Sequence, residues 1–326
     1  MANYLTTGLF AFTLSVIFGL ILIPILKKIK VGQTILSYVK EHISKNGTPT
    51  MGGFIFVIAI IISFFVLGEV SGIAIVSISI ATAFALVGFL DDFIKVKSKE
   101  NEGLKPMQKI IFQSVIGILA GFFAIKNGLT YLYLPFINKT VEVGIFAMPI
   151  IAILFLAITN SVNLTDGLDG LASSVSVVYL FSFAILLILQ EKYFANVYPL
   201  REELPSILRL CFASVGALLG FLIFNSNKAS VFMGDTGSLA LGGLIGSVTI
   251  FTGNTLFLPL LGFIFVLSSI SVIIQVFVYK RSKKRVFLMA PFHHHLQHKG
   301  LSECKISYIY GLITLLIAIV LMLFYI

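Results

Sequence analysis

Apolar residues in this chain come in long runs, broken at most by a lone hydroxyl or glycine, and other polar residues gather in short clusters between them. Ile55–Leu67 and Leu312–Phe324 are examples of such runs. The strict alternation of a membrane β-barrel is absent. A bilayer span needs roughly 20 mostly apolar residues as a helix. The pattern predicts ten spans, at residues 4–26, 51–68, 71–90, 108–125, 142–160, 173–189, 207–224, 238–253, 255–279 and 306–325. Pro259 and Gly262 make the ninth a candidate for a broken helix. The expected fold is all-α: a polytopic membrane protein with about ten helices, forming one domain over residues 1–326. The first run has no basic flank before it and no evident cleavage site, so it reads as a retained helix and not as a signal peptide.

Composition agrees with the pattern. The chain is 58% hydrophobic and 11% charged, with mean hydropathy +1.04. Soluble domains run near 45–50% apolar and about 25% charged. The net charge of +9 does not point to nucleic acid, because the basic residues flank apolar runs and no nucleic-acid motif accompanies them. Cys211 and Cys304 fall at opposite ends of the expected topology, which argues against a disulfide.

Charge fixes the orientation. With alternating sides, the loops at 27–50, 91–109, 160–172, 225–237 and 280–305 share one face and hold 18 of the 23 Lys and Arg. By the positive-inside rule that face is cytoplasmic, and ten spans then leave both termini outside. The five aspartates (Asp91, Asp92, Asp166, Asp169, Asp235) and the five histidines (His42, His293, His294, His295, His298) all fall on it. The spans themselves are nearly free of charge. A proton or ion pump carries ionisable groups within its spans, so the distribution favours surface chemistry over transport.

Five clusters carry that chemistry. Asp91 and Asp92 close the third span, and Lys95 lies one turn on if the helix continues. Adjacent carboxylates suit Mg²⁺ and phosphate handling, or a solvated helix end. The run from Asn160 through Asn163, Asp166, Gly167, Leu168 and Asp169 places two amides on one helix face and two carboxylates at one mouth. Such groups can bind a ribose or a uracil, or can build an Asx-rich turn. Asn225 precedes Phe232-Met233-Gly234-Asp235-Thr236-Gly237-Ser238. There the glycines would leave the Asp235 carboxylate open, Phe232 could stack on a base, and Thr236 and Ser238 could cap the eighth span. His293, His294 and His295 are consecutive, so they cannot readily face one metal, and hydrogen bonding to phosphates suits them better. Lys45, Thr48 and Thr50, ahead of Gly52-Gly53, could cradle a phosphate or simply turn the chain.

Taken in this order between these spans, the five clusters closely resemble the phospho-N-acetylmuramoyl-pentapeptide-transferase family, within the polyprenyl-phosphate N-acetylhexosamine-1-phosphate transferases. The aspartate motifs are shared across that superfamily. Thr48-Pro49-Thr50-Met51-Gly52-Gly53 and Pro291 with the three histidines point to the muramoyl-pentapeptide branch. One departure is Leu296-Gln297 where the family usually has Phe-Glu. The resemblance implies a bacterial plasma-membrane enzyme of peptidoglycan synthesis with Mg²⁺ as cofactor. UDP-N-acetylmuramoyl-pentapeptide and undecaprenyl phosphate would give lipid I and UMP, with a homodimer as the family expectation. It implies Asp235 as metal ligand, and Asp91, Asp92 and Lys95 as catalytic. It also implies that Asp166, Gly167, Leu168, Asp169, Asn225 and Phe232 line the uridine side near Lys45, with the histidines toward the diphosphate or sugar-pentapeptide. Asp91 as base, as positioning group or as covalent nucleophile remain three readings. The alternatives to this activity are an N-acetylglucosamine-1-phosphate transferase and a lipid-linked sugar transporter.

Overall fold

In a bilayer every backbone N–H and C=O has to be satisfied within the protein, and long apolar runs achieve this as helices. The computed structural model describes residues 2–29, 47–68, 70–98, 102–137, 139–194 and 202–325. The described helices are α1 (Ala2–Lys28), α2 (Gly53–Leu67), α3 (Gly72–Ser98), α4 (Pro106–Lys126), α5 (Ala147–Thr165) and α6 (Leu171–Phe194), followed by α7 (Leu204–Asn225), α8 (Gly234–Phe251), α9 (Phe257–Leu261), α10 (Phe263–Ser282), α11 (Phe292–His298) and α12 (Glu303–Leu323). Each of the ten predicted segments contains a helix. Among the described residues, eight helices are long and apolar enough to cross a membrane: α1, α3, α4, α5, α6, α7, α10 and α12. The other two segments differ for physical reasons. At 15 residues, α2 is about 22 Å long, short of a hydrocarbon core of about 30 Å. The 18-residue α8 is about 27 Å long, but its first turn, Gly234-Asp235-Thr236, is polar, which lowers its hydropathy, and the helix lies buried within the bundle.

The ninth segment breaks where its sequence indicates. α9 ends at Leu261 and α10 begins at Phe263, with Gly262 between them. Large apolar side chains such as Leu9, Leu20, Leu119, Ile153, Phe277 and Leu323 stand exposed on α1, α4, α5, α10 and α12. An apolar surface this extensive is a lipid-facing one.

At the centre stands α8, with every residue from Thr236 to Phe251 buried. It packs on α3 and α5 and also touches α2, while α1 pairs with α7 and α4 with α5. One close approach matters for the site. A Cβ on Gly88 of α3 would strike the Asp235 carbonyl and sit 2.6 Å from Thr236 N. Only glycine lets the end of α3 lie against the first turn of α8.

The sequence pattern did not anticipate a two-stranded hairpin between α4 and α5. β1 (Tyr131–Leu134) and β2 (Lys139–Glu142) pair antiparallel, with Tyr131 opposite Glu142 and Leu134 opposite Lys139. Tyr133 N donates to Gly253 O (2.8 Å), which ties the hairpin to the far end of α8.

Candidate active site

The acidic residues converge at the end of the bundle where α3 and α5 finish and α8 begins. α3 does not stop at residue 90 as its apolar run suggests; it continues to Ser98 and carries Asp91 and Asp92 within the helix. Consecutive helical residues point about 100° apart, and the two carboxylates do different things. Asp92 faces the first turn of α8. It accepts from Asp235 N (3.2 Å), Thr236 N (2.9 Å) and Thr236 Oγ1 (2.7 Å). The free N–H groups of a helix N-terminus suit a carboxylate in this way. Asp91 accepts from Leu104 N (2.9 Å) and pairs with Lys95 (2.6 Å), one turn ahead on the same helix, and with Lys109 (3.7 Å).

Asp235 is the hub. Its Oδ2 meets Lys109 Nζ at 2.5 Å and Lys95 Nζ at 3.2 Å, and its Oδ1 accepts from Asn163 Nδ2 at 2.7 Å. The expectation of an open carboxylate between glycines is overturned: the side chain is only 15% exposed, because α3, α4 and α5 close around it. Nor do Thr236 and Ser238 cap α8, which already begins at Gly234. Thr236 bonds Asp92 instead. Ser238 Oγ donates to Gly234 O (3.0 Å) and accepts from Asn163 (2.8 Å). Lys109, in the first turn of α4, escaped sequence reasoning because a lone lysine in a polar link looks like any positive-inside charge. The Pro106 start of its helix was the available signal, since proline at the first helical position fixes where the next residues point.

Carboxylate oxygens of Asp91, Asp92 and Asp235 lie within 4.8 Å of one another. Hard oxygen donors at this spacing suit Mg²⁺, which is held by one or two carboxylates plus substrate phosphates. Three carboxylates face two ammonium groups, so the cluster's cations do not outnumber its oxygen donors. The chemistry of the donor set therefore fits a divalent cation brought together with a diphosphate.

A second rim is built on the turn after α5. Asp166 sits partly exposed, and burial, with the charges of Asp235, Asp92 and Asp169 adding to it, pushes its carboxyl well above the usual carboxylate range. Asp169 is buried; its Oδ2 accepts from Ala229 N (3.1 Å) and its N–H donates to Glu303 (3.3 Å). The Leu168 side chain joins the core. A Cβ on Gly167 would strike His293 Nε2 and lie 3.1 Å from His294 Nε2, so glycine is what lets the two rings stand over the turn. His293 is buried and packs against His294 at 4.4 Å between ring centroids. His294 Nδ1 meets Gln297 Oε1 at 3.2 Å. His295 turns elsewhere, accepting from Leu288 N (3.1 Å) between Phe287 and Phe292.

The remaining candidates divide. Asn163 belongs to the cluster. Asn160, one turn deeper, spends its amide on Gln113 Oε1 and Leu156 O, both at 2.8 Å. Asn225 is buried; it accepts from Ser173 Oγ (3.0 Å) and donates to Val231 O (3.1 Å), which fixes the segment leading to Phe232. Half-buried Phe232 is held by its backbone, donating to Pro49 O (2.8 Å) and accepting from Gly52 N (2.9 Å). These bonds lay the segment with half-buried Thr48 and buried Thr50 beside the start of α8. Lys45 lies outside the described residues.

Comparison with known proteins shows resemblance along nearly the whole chain. A glycosyl transferase family 4 profile matches residues 73–253. A phospho-N-acetylmuramoyl-pentapeptide-transferase signature matches residues 45–57. A phospho-N-acetylmuramoyl-pentapeptide-transferase of Clostridium botulinum (strain Alaska E43 / Type E3) is 40% identical over 97% of this chain and 94% of its own. The enzyme of Clostridioides difficile (strain 630) is 42% identical over 96% and 94%, and that of Clostridium novyi (strain NT) 41% identical over 98% and 96%. With a carboxylate–lysine cluster joined across three helices and identity sustained along nearly its whole length, this chain belongs to the phospho-N-acetylmuramoyl-pentapeptide-transferase family.

Proposed function

We propose that this protein transfers phospho-N-acetylmuramoyl-pentapeptide from UDP-N-acetylmuramoyl-pentapeptide to undecaprenyl phosphate, giving lipid I and UMP. The observation that carries the reading is the cluster of Asp91, Asp92, Asp235, Lys95 and Lys109 at one end of a lipid-facing bundle. We read that end as cytoplasmic in a bacterial plasma membrane, because the loops that the sequence assigns to its face carry 18 of the 23 basic residues. The donor's diphosphate meets a basic face, which raises its local concentration. The acceptor's phosphate lies at headgroup level, where these helices end.

Mg²⁺, held by Asp235 with Asp91, would neutralise diphosphate charge and ease departure of UMP. The chain's own groups divide the remaining work. Lys95 and Lys109 offer ammonium donors to the phosphate oxygens. Asn163 fixes the direction of Asp235 through its 2.7 Å bond. Asp92 receives three hydrogen bonds from the first turn of α8, so its lone pairs are engaged in holding α3 to α8. That disfavours Asp92 as nucleophile or base. Direct attack by the lipid phosphate is favoured by that phosphate's own charge. Such a phosphate has a second pKa near ~6, by analogy with phosphoserine, and is largely dianionic at neutral pH, so it needs little help from a base.

The test is UMP release by the purified protein in detergent, with polyprenyl phosphate and Mg²⁺, from the muramoyl-pentapeptide donor and from UDP-N-acetylglucosamine. Lipid-dependent UMP from the first donor only, lost in Asp235→Ala, is the expected result. UMP from the second donor alone would move the protein to the N-acetylglucosamine branch. UMP from neither would refute the transferase reading.

A further inference from the structure

We propose that Glu303 is a positioning residue: acting through Gln297, it fixes the orientation and tautomer of His294 on the rim that receives the donor. The proposal rests on the reading that His294 contacts that donor.

Glu303 occupies the first turn of α12, behind the N-cap Ser302, and touches two different parts of the rim. Its Oε2 accepts from Asp169 N (3.3 Å), on the turn after α5. Its Oε1 accepts from Gln297 Nε2 (3.4 Å), on α11. Ser307, one turn further along α12, donates to Asp169 O (3.3 Å). The first two turns of α12 thus grip both backbone groups of Asp169, and the same carboxylate reaches α11.

The chemistry of these groups sets the direction of every bond in the relay. A carboxylate only accepts, so Gln297 must present its NH₂ to Glu303. Its carbonyl oxygen is then the atom that faces His294 Nδ1, 3.2 Å away. An amide oxygen only accepts, so Nδ1 carries the proton. Nε2 becomes the ring atom that varies, and it stands over Gly167, between Asp166 and Leu168. It accepts a hydrogen bond when the ring is neutral and donates one when the ring is cationic. This assignment does not depend on which way the Gln297 amide is drawn, because the acceptor-only carboxylate dictates it.

The experiment measures donor KM and kcat for the full-length protein in detergent, with UDP-N-acetylmuramoyl-pentapeptide and polyprenyl phosphate. The variants are Glu303→Ala, Gln297→Glu, the exchanged pair Gln297→Glu with Glu303→Gln, and His294→Ala. Glu303→Ala removes the anchor, and Gln297→Glu sets two carboxylates against each other. Each raises donor KM about tenfold with kcat within about twofold, as expected for loss of an orienting hydrogen bond. The exchanged pair rebuilds the relay. The amide now at position 303 would accept from Asp169 N and donate to the carboxylate now at position 297. That carboxylate would accept from His294 Nδ1, so donor KM returns to within about threefold of the starting value. Because the pair preserves size and bonding, it carries the test even if Glu303→Ala does not fold. A purely structural Glu303 predicts lower stability or kcat in Glu303→Ala without the rise in donor KM, and either that result or failure of the exchanged pair to recover overturns the proposal. Increased KM in His294→Ala with none in Glu303→Ala overturns it while leaving the rim reading intact. Unchanged KM in His294→Ala overturns both.

Discussion

Gly88→Ala is the sharpest test of how the fold makes the site. In an ordinary helix interior this change stabilises, by about 1 kcal/mol. Here the new methyl would strike the Asp235 carbonyl and lie 2.6 Å from Thr236 N, and both obstacles are backbone. α3 and α8 would have to separate by more than about 1 Å to restore van der Waals contact. Overpacking of this kind costs about 1–3 kcal/mol. The separation also strains three hydrogen bonds to Asp92, each worth about 1.5–3 kcal/mol to a charged acceptor. The unfavourable terms exceed the propensity gain, so the protein should melt lower, and a shift of about 1 Å at the reacting groups should lower kcat about 100-fold. Thermal melts in detergent and initial rates of UMP release measure the two effects. Gly311→Ala on α12, where a Cβ meets nothing within 4 Å, is the control: it should leave the rate unchanged and raise the melting point slightly. If Gly88→Ala kept its rate within about twofold and its melting point, the argument that this contact sets the Asp92–Asp235 geometry would be refuted.

Lys109→Gln should leave the Asp91–Asp235 pair undercompensated, at a cost of about 3 kcal/mol, and lower kcat at least about 100-fold with donor KM less affected; unchanged kcat would remove Lys109 from the site. Gly167→Ala should push His293 and His294 off the turn and raise donor KM about tenfold, whereas an unaltered KM would mean that the rings do not meet the donor. Desolvation, with Lys299 and His298 adding to it, holds His295 below the ordinary imidazole range. The fold therefore favours the neutral ring, and this contribution is present above about pH 6.5 and lost as pH falls through the lower folded value. His295→Asn keeps an acceptor for Leu288 N without titrating, so its melting point should fall less between about pH 7 and pH 5 than that of the parent protein; parallel slopes would count against the assignment.

How far the sequence carried can be judged at particular residues. Continuous apolar runs predicted the helices because nothing but a helix satisfies backbone groups in lipid. The boundaries failed where function lies. Hydropathy falls at Asp91, yet α3 runs on to Ser98 because Lys95, Lys109 and Thr236 compensate its carboxylates. That compensation is tertiary and leaves no local trace. Lys109 and Glu303 were invisible for the same reason: each is an ordinary surface charge until α4 or α12 is docked. The hairpin was missed because Tyr-Leu-Tyr-Leu at 131–134 does not alternate between apolar and polar, and its anchor is the distant Gly253 carbonyl.

The attachment of that hairpin has a mechanical consequence. α8 is an unbroken strut of 18 residues, about 27 Å long. Its first turn is clamped to Asp92. Just past its other end Gly253 is held by Tyr133, and the neighbouring Asn254 accepts from Gln190 at 2.7 Å. A rod fixed at both ends and packed along its length cannot slide or rotate at one end alone. The depth of Asp235 along the bundle is therefore set from both ends of α8, by Asp92 at one and by the hairpin at the other.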